Sequence, residues 1–291
     1  MLLNLREYHR ISPHESRRAA LDQVLALLER KNIHTVPLAG GSSLIGSADP
    51  SVEAVVDLHG LGLDGIRLEE GVLTIGAMVT RAALAQDENA ARIYDGLLGR
   101  AARLWGGSVQ RNRATVGGAI ALAAPDDPLV AALLVSDAMV VLYAGAPDGE
   151  VPLSDFLPRR AALLAVPALI VEVRVPVPPK TAAATMAVTA RTPADSPIVL
   201  AVAALQVRGA LHNQVRLALG GVAPTVVRVA EVEAMLASKP ISAELIGSAA
   251  ARAGDLVDPV GDFRGSAEYR RAMARVLSER ALLEAWSALS G

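Results

Sequence analysis

Cysteine is absent from this 291-residue chain. That excludes disulfides, thiolate metal sites, a cysteine nucleophile and any iron–sulfur cluster held by the chain's own thiolates. Aromatic residues make up only 3%, too few for a surface that binds RNA or single-stranded DNA by stacking bases. Neither sign of charge prevails: 28 Lys+Arg face 30 Asp+Glu, a formal net charge of −2. Bulk charge thus excludes both a basic nucleic-acid binder and an acidic disordered chain. Lysine is confined to Lys31, Lys180 and Lys239, so arginine carries almost all the positive charge. Long apolar runs are also missing. The longest, Ala161 to Val171, contains Pro167 and stops at Glu172, short of the roughly 18 residues a membrane helix needs. Arg6 and Arg10 interrupt the N-terminus before any apolar stretch, so no secretory signal is expected and a cytoplasmic location is. His9, His14, His34, His59 and His212 fall at no metal-ligand spacing, and no Ser/His/Asp order stands out. Neither a metal site nor a catalytic acid, base or nucleophile is expected.

Apolar residues are plentiful by contrast, at 52%. With a mean hydropathy of +0.36, they imply a well-filled core or a large buried interface. The length suits two domains. Residues 16–30 place Leu21, Val24, Leu25 and Leu28 on one helical face. Thr35–Leu38, Ala54–Leu58, Leu73–Ile75, Met139–Tyr143 and Ile170–Val175 read as strands. Thr80 opens a helix as its N-cap, and 92–104 and Leu129–Leu134 read as further helices. Pro176, Pro178 and Pro179 mark a linker. Beyond it, Ile198–Val207 and Gln214–Leu219 are sequential strands joined by a turn around Gly209 to Asn213. Helices follow over 228–237, 242–253 and roughly 266–289, the last with Tyr269, Met273, Val276, Leu283 and Trp286 near one face. The reading is an α+β domain over 1–176 and a smaller α+β domain over 180–291.

Two segments carry chemistry. In Ala39-Gly40-Gly41-Ser42-Ser43-Leu44, paired glycines let backbone N–H groups approach a ligand with no Cβ in the way, and two hydroxyls add donors. Successive amides in such a turn suit an anion, above all a phosphate. The glycines at 40, 41 and 46 do not fit G-x-G-x-x-G, and no Gly-Lys-Ser/Thr follows, so neither a Rossmann nor a P-loop fingerprint is present. The second segment, Thr115-Val116-Gly117-Gly118-Ala119, pairs glycines again. Either loop alone reads more readily as a plain strand-to-helix turn. Together, two such loops can clamp a pyrophosphate from two sides.

Ala39 to Leu44 resembles the first FAD motif of the FAD-binding (medium) subunits of molybdenum hydroxylases, the xanthine dehydrogenase and carbon monoxide dehydrogenase medium-subunit family. Arg111-Asn112-Arg113-Ala114-Thr115-Val116-Gly117-Gly118 resembles the second. Val56-Asp57-Leu58, Leu73 to Thr80, Leu219 to Thr225 and Arg264 to Arg271 are also similar to that family, in the right order along nearly the whole chain.

The resemblance implies a vanillyl-alcohol-type FAD-binding fold of two α+β subdomains, then a C-terminal α+β domain with an antiparallel sheet. It implies noncovalent FAD with its pyrophosphate between the two glycine loops. Ala39, Gly40, Gly41, Ser42, Ser43, Leu44, Thr115, Gly117, Gly118 and Ala119 would bind it. It implies two partners, a large molybdenum-cofactor subunit and a small [2Fe–2S] subunit, and electron flow from the clusters through FAD to an external acceptor. The lack of cysteine fits clusters carried on another chain.

Several positions depart from the family's pattern. Ser42 stands where many members have His or Thr, Ala114 where Gly is frequent, and Ala119 where Asn, Ser or Asp is frequent. Pro128 stands at a common Asp position, with Asp126 and Asp127 just before it. Asp127 would then either reach the cofactor or cap a helix at Pro128. Val188 replaces a Lys often found near the flavin, while Asp195 is kept. These departures motivate an alternative, a flavin-free structural subunit of the same complex. A free-standing flavin oxidase or reductase is a third reading, and it lacks an obvious substrate acid or base.

Overall fold

The computed structural model describes residues 4–11, 16–145, 149–192, 195–208, 212–237 and 239–290. In chain order its first elements are β1 (Glu7–Arg10), α1 (Arg17–Leu28), β2 (Thr35–Leu38), α2 (Leu44–Ser47), β3 (Ala54–Asp57), β4 (Ile66–Glu69), β5 (Val72–Gly76) and α3 (Arg81–Leu84). Next come α4 (Leu97–Arg103), α5 (Ser108–Arg111), α6 (Val116–Leu122), α7 (Pro128–Val135), β6 (Met139–Tyr143), β7 (Gly149–Pro152), α8 (Leu153–Leu163) and β8 (Leu169–Pro176). The last are β9 (Ala182–Thr189), β10 (Val199–Arg208), β11 (His212–Gly220), β12 (Val227–Arg228), α9 (Ala230–Leu236), α10 (Ala243–Asp255) and α11 (Ala267–Ser290). Two compact units result. One comprises Met1–Leu84, Gly107–Leu122 and Met139–Val175; the other comprises Ala85–Gly106, Ala123–Ala138 and Pro176–Gly291.

The first unit holds two sheets. One is parallel, in the order β1-β3-β2. Its central strand β3 is buried along its whole length, as a strand covered on both faces must be. Helix α1 starts where the Ser16 hydroxyl accepts the Ala19 N–H at 3.1 Å. Its buried face, Ala20, Leu21, Val24 and Leu25, packs in one cluster with Val56, Leu58, Met78 and Val171. The other sheet runs β4-β5-β8-β6-β7. Its β4–β5 hairpin closes through Glu70 and Gly71, both at positive φ (49° and 77°), the backbone of a two-residue type I′ turn.

The second unit contains the antiparallel sheet β12-β11-β10-β9. Its inner face shares a core with α9, α10 and α11, through residues such as Ala203, Leu217, Val232, Ile246 and Leu282. Strand β9 carries no sequence signal, because four of its eight residues are alanine, a poor strand former. It forms because β10 supplies a complete antiparallel partner, from Val199↔Thr189 to Gln206↔Ala182. The turn expected around Gly209 to Asn213 falls largely outside the described residues.

Two helix readings need correction. The helix expected over 92–104 is confined to α4, preceded by a 3-10 turn at Ala90–Arg92. Tyr94, Asp95 and Gly96 all take positive φ (46°, 50° and 82°) and interrupt the helical path. Helix α11 has the expected extent but a different buried face. Tyr269 and Val276 are exposed, whereas Arg270, Ala274, Leu277, Ser278, Ala281, Leu282 and Ala285 are buried. Small side chains let α11 approach β9 and β10 closely, so the core side is not its most apolar side.

Candidate functional site

Strand β2 ends at Leu38, whose carbonyl accepts the Leu58 N–H at 3.0 Å. The first glycine loop therefore leaves the sheet from a fixed point beside β3. Gly40 has no space for a side chain: a Cβ there would fall 1.5 Å from the Arg113 carbonyl oxygen. Arg113 Nε donates to the Gly40 carbonyl at 3.1 Å and ties the same contact. Gly41 has φ +68°, a conformation that glycine alone takes without strain. The chain then turns through Ser42 and Ser43 into α2, held by Ile45 N–H to the Gly41 carbonyl (3.2 Å) and Ser47 N–H to the Ser43 carbonyl (2.9 Å). Among the described residues, none accepts a hydrogen bond from the N–H of Gly40, Gly41, Ser42 or Ser43. A run of uncommitted amides at the end of a strand is an anion-binding feature.

The second loop is anchored on the segment after β5. Arg81 N–H donates to the Ala114 carbonyl (2.8 Å), Val116 N–H to Val79 (2.9 Å) and Gly117 N–H to Ala77 (2.9 Å). Thr115 caps α6, its hydroxyl accepting the Gly118 N–H at 3.1 Å. A Cβ on Gly117 would meet the Ala77 Cβ at 2.7 Å and its carbonyl at 2.9 Å, whereas one on Gly118 would meet only the Thr115 hydroxyl, at 2.9 Å. Gly117 thus serves close packing, and Gly118 leaves its outer side open. Ala114 has no positive φ, so alanine in place of the family's frequent glycine costs the loop nothing.

The two loops meet at a cavity of about 430 Å³, within the size range of small-molecule sites. Ala39 of the first loop and Gly117 and Gly118 of the second line it, with Leu58, Met78 and the 164–170 segment. That segment belongs to the longest apolar run of the sequence. It serves as a wall of this cavity, and Val166 is largely exposed.

Ser42 and Ser43 are exposed and Leu44 is half-buried at the start of α2. Ala119 is buried, and its N–H is committed to the Thr115 carbonyl at 2.9 Å. Asp127 belongs to the second unit, 1% exposed. Its carboxylate caps α7, accepting from Leu129 N–H at 2.9 Å and Val130 N–H at 3.4 Å. Of the two roles open to it, the helix cap ahead of Pro128 is the one observed. Asp126 instead pairs with Arg264 at 2.9 Å.

One polar cluster beside the first loop was not foreseen. Asp57, paired in register with Leu38 at the end of β3, is buried. It accepts hydrogen bonds from the Tyr8 hydroxyl, the His59 N–H (2.9 Å) and the His59 ring Nδ1 (2.6 Å). Burial pushes its carboxyl up, but the bonds from Tyr8 and His59 outweigh that and hold it below the ordinary aspartate range. Val56-Asp57-Leu58 was legible as a family segment; the bond from Tyr8 to Asp57 depends on parallel pairing of β1 with β3 and could not be read.

Residues 14–178 match the FAD binding domain in molybdopterin dehydrogenase, and residues 184–285 match the CO dehydrogenase flavoprotein C-terminal domain. The carbon monoxide dehydrogenase medium chain of Hydrogenophaga pseudoflava is 31% identical over 278 residues, 92% of this chain and 95% of that one. The 6-hydroxypseudooxynicotine dehydrogenase complex subunit alpha of Paenarthrobacter nicotinovorans is 30% identical over 275 residues, covering 91% and 92%. The solved structure of the H. pseudoflava carbon monoxide dehydrogenase lacking the Mo-pyranopterin moiety of its molybdenum cofactor superposes with a TM-score of 0.84 at 30% identity, over 99% of both chains. Among the described residues, no helix is long and apolar enough to cross a membrane.

Proposed function

This chain belongs to the FAD-binding medium subunits of the molybdenum hydroxylases, oxidoreductase subunits whose cofactor is FAD, and we propose that it is the electron-transfer subunit of such an enzyme. In this reading it accepts electrons from a partner [2Fe–2S] subunit and passes them to an external acceptor. A large molybdenum-cofactor subunit handles the organic or gaseous substrate. When bound, FAD supplies the redox chemistry itself. The chain's own residues bind it, orient it and keep water away.

The observation that carries the reading is the single cavity lined by both glycine loops. The open amides of Gly40 to Ser43 would receive the pyrophosphate, and the uncrowded outer side of Gly118 would let it approach from the opposite loop. Leu58, Met78 and the 164–170 segment supply the apolar wall that excludes water. This set fits a noncovalently held dinucleotide. Thr115 acts by positioning, through its cap on α6. Asp127 is left out of the cradle, because its carboxylate holds α7. The loop backbone is intact despite the substitutions at 42, 114 and 119, so the flavin-free alternative gains no support. The relative named as a subunit of a dehydrogenase complex is consistent with the proposed partners.

The test is an absorption spectrum of the purified chain before and after incubation with FAD, followed by desalting. Flavin bands that survive desalting, and that are lost when Gly118 is changed to valine, are the expected result. A folded chain that retains no flavin, alone or with its partner subunits, would overturn the proposal.

A further inference from the structure

The cavity of the first unit follows the edge of a strand. Strand β2 borders its parallel sheet, whose order is β1-β3-β2. Ala54 N–H donates to the His34 carbonyl at 3.1 Å, and Leu58 N–H to the Leu38 carbonyl at 3.0 Å. With this register Val36 and Leu38 direct their main-chain groups at β3, and those of Thr35, Pro37 and Ala39 face the other way. Among the described residues no strand pairs with that side. Thr35, Pro37, Ala39 and His34 all line the cavity. From Ala39 back to His34 the chain spans roughly 16 Å, so the cavity runs away from the glycine loops along an unpaired strand edge.

That edge is rich in acceptors. Among the described residues, the carbonyls of Thr35 and Pro37 accept no hydrogen bond, although Thr35 is buried and buried main-chain groups are nearly always paired. Proline has no N–H. Between the N–H of Thr35 and that of Ala39 the edge therefore offers two carbonyls in succession. His34 adds a third acceptor. Its Nδ1 lies 3.1 Å from the Ser51 carbonyl, a contact that places the proton on Nδ1 and leaves the lone pair of the neutral ring on Nε2. The two halves of FAD meet such a surface differently. Adenine carries an amino group, which donates. The pyrimidine edge of the flavin carries two carbonyls around one N–H and would set oxygen against oxygen.

We propose that His34, at the far end of the free edge of β2, determines specificity by accepting a hydrogen bond from the amino group of the cofactor's purine. With the pyrophosphate on the glycine loops, the adenosine half lies along β2, against the apolar 164–170 segment that lines the same cavity. The flavin half is left outside it. The inference rests on the reading of the glycine loops as the cofactor cradle.

The test titrates the full-length chain, freed of flavin, with three ligands. These are FAD, flavin hypoxanthine dinucleotide, in which a carbonyl replaces the purine amino group, and FMN, which lacks the adenosine half. ADP serves as competitor. The wild type is expected to bind FAD roughly tenfold or more tightly than the hypoxanthine analogue, to bind FMN more weakly than FAD, and to release FAD to excess ADP. His34→Leu should keep the wild-type melting temperature and bring the ratio of the two dinucleotide affinities close to one. His34→Gln, which retains a carbonyl acceptor, should keep part of the preference. Equal affinity of the wild type for both dinucleotides overturns the inference, as does a ratio that a folded His34→Leu leaves unmoved. FMN binding as tightly as FAD, with no competition from ADP, overturns it in favour of the flavin half. If His34→Leu does not fold, the ratios in the wild type and His34→Gln decide, and equal ratios in the two count against His34 only where both are close to one. A wild-type chain that binds none of the three ligands, alone or with its partner subunits, removes the cofactor reading itself.

Discussion

Gly40 and Arg113 are so close that a Cβ on the glycine would lie 1.5 Å from the arginine's carbonyl oxygen. The two glycine loops are thereby spaced by backbone-to-backbone contact, with no side chain to yield. Gly40→Ala is expected to force the loops apart, lower the melting temperature and reduce flavin affinity by about tenfold or more, since overlap with backbone relaxes poorly. Gly46→Ala is the control. A Cβ there meets nothing within 4 Å, and thermal melts and FAD titration should match the wild type or slightly exceed it.

Gly117 and Gly118 are adjacent but should fail differently. Gly117→Ala pushes a methyl group into Ala77, at 2.7 Å from its Cβ and 2.9 Å from its carbonyl, and is expected to cost about 1–3 kcal/mol of stability. Gly118→Ala touches only the Thr115 hydroxyl and should cost about 1 kcal/mol or less through the cap. Paired denaturation and FAD titrations should show the larger affinity loss per unit of stability at Gly118. Equal ratios at both sites would count against the open side of Gly118 as a ligand contact.

Glu172 gives the first unit a pH dependence. It is 6% exposed on β8 and lies 3.2 Å from Arg17 and 3.0 Å from Arg67. Burial pushes its carboxyl up, but the two arginines outweigh burial and hold it below the ordinary glutamate range. With the folded value depressed, the unfolded chain takes up the proton first as pH falls. The stabilisation is therefore complete above the unfolded value, about 4.3, and disappears as pH drops through the lower folded value. Glu172→Gln is expected to lose roughly 2 kcal/mol at neutral pH. The gap to the wild type should close in melts taken below about pH 4.

Removing the Arg270 guanidinium should be severe. Arg270→Met would strand the carbonyls of Ile198 and Gly221 and release Asp262, at a cost of about 3–5 kcal/mol in urea denaturation. Arg270→Lys keeps the charge without the fork and should recover only part of that loss.

Much of this molecule was legible because its signals are local. Thr35–Leu38 and Met139–Tyr143 are strands as expected, since short apolar runs with paired β-branched residues, bounded by turn residues, have few other uses. The Ser16-capped helix shows its buried face in its own spacing. Strand β9 and the inward face of α11 were not legible for the converse reason. Both are built largely from alanine and other small residues, which express no periodicity of their own and take their orientation from the neighbour that accepts them.

The candidate site divides along the same line. Sequence alone determined that two glycine-paired loops exist, that no cysteine can hold a cluster or a metal, and that the C-terminal part carries two sequential strands joined by a turn. Those conclusions follow from residue type and short spacing. Only the tertiary structure decided that Gly40 packs on the backbone before the second loop, that Gly117 fills space while Gly118 leaves it open, and that Asp127 caps a helix. It also decided that Arg270 lies in the core while Phe263 faces water. Each of these depends on segments distant in sequence coming within a few ångströms, and that proximity is a property of packing that no residue carries alone.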